Sequence, residues 1–86
     1  MPYIRKEARD DYDSVLRPLA DWLEGVPEGD LNYVLTRLIQ AWLGGRHTYS
    51  DYNAALGVLE AVKQEFYRRV VAPYEDKKIK ENGDVY

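Results

Sequence analysis

The chain has 86 residues, a formal net charge of −3 and no cysteine. That length predicts one compact domain burying a modest share of its surface, about 60–65%, with marginal stability unless packing is good or subunits share a core. The missing cysteines exclude disulfides and thiolate metal sites. The absence of a surplus of Lys and Arg argues against general duplex-DNA binding. No apolar run approaches the ~18 residues of a membrane span and the N-terminal stretch has no apolar signal core, so a soluble, cytoplasmic protein is expected.

The first pattern runs from about Lys6 to Glu24. Tyr12, Val15, Leu16, Leu19, Trp22 and Leu23 recur at three- and four-residue spacing and form one apolar stripe of a helix. Pro18 lies inside it. Proline has no N–H for the carbonyl of residue 14, so either the helix bends there or it begins near Pro18 with Asp13 or Ser14 as cap. Gly25 and Pro27 close the element. Residues 1–30 carry a net charge of −4.

The second pattern, "PEGDLNYVLTRLIQAWLGG", predicts a helix over 31–43 with Asp30 as N-cap. Leu31, Leu35, Leu38, Ile39, Trp42 and Leu43 share a broad face beside Val34, and Gly44-Gly45 ends it. A strand over "NYVLTRLI" would need a strict alternation that is missing. Asp30, Asn32 and Tyr33 place polar groups beside the free amides of a first turn, where a small anion or nucleotide docks; the plainer reading is a capped helix with surface side chains. Arg46 and His47 follow in a glycine-led linker where backbone amides can approach a ligand. A single exposed loop histidine with no second histidine makes a poor zinc site.

The third pattern opens at "TYSDYNAALGVLEAVKQEFYRRVVAP", with Ser50 as expected N-cap and Asp51 in the first turn. Tyr52, Ala55, Leu56, Leu59, Val62, Phe66 and Val70 line one face. Gly57 sits inside it, explained by a close helix approach or by a tolerated defect. Near Pro73 the long helix is expected to kink or break, with a short fourth helix starting there. The fold class is therefore all-α, a small bundle of three helices with a bent or divided third.

Among charged groups, Arg68 and Arg69 are candidates for binding an anion in planar, bidentate fashion, or for pairing with acids such as Glu65. Lys78 adds to that rim. Glu60 and Glu65 are the weak alternative for a carboxylate metal site, and no other cofactor is expected. Eight tyrosines and two tryptophans suit half-buried boundaries or interfaces. Tyr67, Tyr74, Val85 and Tyr86 are the interface candidates, with the tail packing on the first helix or on a neighbouring subunit. A homo-oligomer, simplest as a dimer, follows from this and from the small core.

"GDLNYVLTRL", the run "ALGVLEAVKQEFYRRVVAPYEDKKIKENGDVY" and the start "MPYI" together resemble an uncharacterised family of small phage, prophage and bacterial proteins. The resemblance covers nearly the whole chain and is most specific at the C-terminal run. It implies a phage or bacterial origin and no mechanism. It adds Glu75, Asn82 and Asp84 to the candidate positions Asp30, Asn32, Tyr33, Glu60, Glu65, Tyr67, Arg68, Arg69, Tyr74, Lys78 and Tyr86. The function expected is a non-enzymatic, oligomeric binding protein for a small anion, nucleotide or host protein. A small metal-dependent nucleotide hydrolase and a DNA-associated phage regulator are the alternatives.

Overall fold

A computed structural model describes residues 2–86 and is all-α. Its elements are α1 (Lys6–Leu23), α2 (Glu28–Leu43), α3 (Tyr49–Phe66), a π-helical turn (Tyr67–Val71) and α4 (Ala72–Asn82). The last three follow one another without a break, so the structure has three helical stretches, the third long and carrying a widened turn. The chain divides into two compact units, Tyr3–Ala55 and Leu56–Tyr86.

In the first unit, α1 continues through Pro18 instead of starting there. The Ser14 side chain does not cap a helix; its hydroxyl donates to the Asp11 carbonyl at 2.9 Å. Ser14 and Pro18 are both exposed, so the carbonyl that proline leaves without a donor is open to solvent. Gly25 ends the helix at φ +74, a conformation that a Cβ would strain.

Asp30 is not the cap of α2. The helix starts three residues earlier than expected, at Glu28, after Pro27. The fixed φ of proline suits the entry to a helix, and its carbonyl accepts the Asp30 amide at 3.0 Å. Glu28 and Asp30 then occupy the first turn, where the helix dipole favours negative charge. Ser50 is likewise not the cap of α3. Thr48 fills that role: its hydroxyl accepts the Asp51 amide at 3.2 Å, and Asp51 Oδ2 accepts the Thr48 amide at 3.1 Å and hydroxyl at 2.8 Å.

Pro73 is the second residue of α4. Its ring would crowd the Arg69 carbonyl in a regular helix. The chain widens just ahead of it, and the Ala72 amide reaches back five residues to the Tyr67 carbonyl. The expected disturbance near Pro73 is thus a π-turn preceding it. Gly57 meets no atom within 4 Å of an added Cβ, so no close approach explains it.

Among the described residues, only Ala55 is buried, at 5% exposure. In Tyr3–Ala55, Leu19, Leu23, Val26, Val34, Ile39 and Leu43 are half-buried. Val15 and Trp22, on the same predicted stripe as Leu19, stand 74% and 79% exposed. In Leu56–Tyr86 no large aliphatic or aromatic side chain other than Val71 is even half-buried.

Candidate functional site

The candidate residues fall into three groups. The first is the start of α2. Asp30 is in its first turn, Asn32 accepts the Thr36 hydroxyl through its carbonyl at 2.8 Å, and Tyr33 is exposed. Arg46 and His47 lie beyond the other end of the same helix, about 24 Å of helix away. The two sets therefore do not build one pocket.

The second group is that far end. The Arg46 guanidinium donates to the Trp42 and Leu43 carbonyls and lies over the Trp42 ring, 4.3 Å from its centroid. It closes the C-terminus of α2, where the last carbonyls have no amide partner and the dipole favours a cation. His47 Nδ1 sits 3.2 Å from the Tyr52 hydroxyl. Hydrogen bonds from the Thr48 amide and hydroxyl hold the Asp51 carboxyl below its ordinary value, with Arg46 and His47 adding a smaller effect. The corner is occupied in holding α2 to α3.

The third group lies on 56–86. The Tyr67 hydroxyl donates to Glu75 Oε1 at 2.8 Å, a bond that bridges the π-turn. That acceptor, together with its negative charge, raises the Tyr67 phenol above its ordinary value. Arg68 pairs with Glu65 at 2.8 Å, as one of the two arginines was expected to do. Lys78 pairs with Glu81 at 3.2 Å and lies over the Tyr74 ring. Arg69 occupies the adjoining position on the π-turn. In the tail, Val85 and Tyr86 are fully exposed, and the Tyr86 amide donates to Asp84 Oδ1 at 2.9 Å.

Glu60 and Glu65 do not converge. Five residues apart on a helix, they point about 140° from each other. Glu60 accepts from Gln64 at 3.2 Å and faces Lys63 at 3.8 Å, and Glu65 is held by Arg68. Among the described residues no three His, Cys, Asp or Glu side chains gather as metal ligands would.

What this unit does present is an apolar groove of about 460 Å³ beside Phe66, its walls formed by Glu60, Lys63, Gln64, Tyr67 and Val71. Phe66 itself is 59% exposed and Tyr74 60%. A smaller hollow of about 270 Å³ lies where the tail, with Val85 and Tyr86, passes Lys78 and Ile79. The surface offers rings and methyl groups edged by charge.

Sequence reading alone missed Thr48 with Asp51, although their Thr-x-x-Asp spacing was visible. It also missed Glu75 as the partner of Tyr67, because an eight-residue reach needs the widened turn. No helix among the described residues is long and apolar enough to cross a membrane. No curated protein and no solved structure matches the chain. One family model, described as a domain of unknown function (DUF6899), matches residues 1–85, and the chain belongs to that family.

Proposed function

We propose that this member of the DUF6899 family is a non-enzymatic binding protein that works as an oligomer and completes its apolar core against a protein partner. The observation that carries this reading is the burial pattern: among the described residues, helices with well-formed apolar faces leave every large apolar side chain at least partly open. A folded domain is stable by a small margin, and most of its favourable term is apolar burial. Contiguous apolar patches of several hundred Å² mark interaction surfaces.

A protein partner is favoured over a small anion because Arg46, Arg68 and Lys78 already have partners within the chain. The resemblance to small phage and bacterial proteins supports a cytoplasmic setting. Native mass spectrometry on protein purified without added ligand tests the reading. An assembled species is expected; a stable, well-folded monomer with nothing bound overturns it.

A further inference from the structure

Resting on that reading, we infer that the partner is a second copy of this chain, paired antiparallel along the stripe Leu59, Val62, Phe66, Val70 and Tyr74, with the two-fold axis crossing between Phe66 and Val70. The stripe steps by three, four, four and four residues. In a regular α-helix each four-residue step drifts about 40° around the axis. The π-turn at Tyr67–Val71 takes up that drift, so all five side chains keep to one face over roughly 22 Å.

All five are open to solvent, between 40% and 60%. Phe66 and Tyr74 alone expose on the order of 100 Å² each. With the three aliphatic side chains and the neighbouring Tyr67 the face reaches several hundred Å², approaching the ~800 Å² per partner of a standard interface. Antiparallel pairing sets Val62 of one copy opposite Tyr74 of the other and Phe66 opposite Val70, small against large in both of these layers, with Leu59 at the outer edge beside the aliphatic stem of the second copy's Lys77. The pairing is its own reverse, as a two-fold interface requires.

Charge selects the direction. Glu60, Lys63, Glu75 and Lys78 follow one another on a single flank of the stripe, in the order negative, positive, negative, positive. The groove wall formed by Glu60, Lys63 and Tyr67 and the bond from Tyr67 to Glu75 show the shared side of the first three, and Lys78 follows Glu75 by three residues on the same helix face. When two helices pair antiparallel, the same flank of each meets. Glu60 then faces the second copy's Lys78, and Lys63 faces the second copy's Glu75. Parallel pairing brings this flank against the opposite one and loses the match. Within the chain Lys63 faces Glu60 at 3.8 Å and Lys78 faces Glu81 at 3.2 Å; both pairs are solvent-exposed and weak, so pairing across the interface replaces them at little cost, and Glu75 keeps its second oxygen for Lys63 while Oε1 accepts from Tyr67.

The test exploits the absence of native cysteine. Val62→Cys and Tyr74→Cys chains are mixed and oxidised. A disulfide between the two variants, with neither variant cross-linking to itself, is the expected result. Self-linking of Val62→Cys indicates parallel pairing and overturns the inference. Phe66→Asp is expected to convert the dimer to monomer by light scattering. Lys78→Glu is expected to weaken self-association several-fold, and Glu60→Lys in the same chain to restore it. A native dimer untouched by all these changes overturns the assigned face while leaving the oligomeric reading intact. A native monomer assembled only with a different protein overturns the second-copy assignment alone. A folded monomer without any partner overturns both.

Discussion

The two units solve the same problem differently. Tyr3–Ala55 spends its sequence on ends: Pro27 starts a helix, Gly25 and Gly44 stop two, Arg46 closes a C-terminus and Thr48 caps the next N-terminus. Its aliphatic residues Leu19, Leu23, Ile39 and Leu43 are half-buried. Leu56–Tyr86 has one helical stretch, little to pack against, and its largest apolar residues in the open. A lone helix is only marginally stable in water, so amphipathic helices depend on packing for most of their stability. The contrast teaches that local hydrogen bonding and apolar burial are separable: Leu56–Tyr86 closes its helix end at Gly83 and pairs its charges locally, yet covers none of its rings.

The largest effect is expected at Phe66. Phe66→Ala should remove about 3–5 kcal/mol from the assembled form if the ring is covered there, and the loss should appear as a melting temperature that depends on protein concentration. Leu23→Ala probes the other unit. Its side chain is half-buried within the chain, so a smaller loss of about 1–2 kcal/mol is expected, independent of concentration in a dilution series. Equal concentration dependence for both would erase the distinction between the units.

Thr48→Ala should cost about 1 kcal/mol, seen as faster hydrogen exchange in the first turn of α3. Gly57→Ala should raise stability by a similar amount, because the site is open and helical and alanine favours the helix. The smallest effects are those of pH. Asp51 has its carboxyl held below 3.8, so its cap is intact above that value and is lost as pH falls through the lowered one. Tyr67 has its phenol raised above 10.0; its bond to Glu75 stabilises fully below that value and is lost as pH rises through the raised one. Chemical-shift titration of Asp51 and ultraviolet titration of Tyr67 check both, and Tyr67→Phe should abolish the second.

Much of the fold was legible. Glycine after an apolar period marked the ends of α1 and α2, and the long third stretch followed from an apolar face running to Val70 and a short fourth helix expected from Pro73. The caps were misplaced for a physical reason. Asp30 and Ser50 are good capping side chains, yet Pro27 sets φ by its ring, and Thr48 has an acid three residues on to return its bond while Ser50 has Asn53. A tally of capping types cannot weigh those two facts, whereas the spacing can. The π-turn had its own signature, a stripe stepping by four three times, from Val62 to Tyr74, with Pro73 inside the last step. Burial was not legible at all. Periodicity states which residues share a face; it carries no information about what covers that face. For that reason Arg46, Arg68 and Lys78 look alike as charges in the sequence and differ only by the neighbours the fold gives them.

The widened turn at Tyr67–Val71 behaves as a single inserted residue that the helix has absorbed. Absorbing it costs one irregular turn and preserves the alignment of what lies on either side. A chain lacking one residue of 67–71, and carrying Pro73→Ala so that no ring crowds the restored helix, should therefore be more regular and still present Phe66 and Tyr74 on one side. A chain with one residue added there has no second irregularity to hide it, and everything from Tyr74 onward turns by about 100°. Deletion tolerated and insertion not is an unusual asymmetry for a helix, and it follows from this one turn.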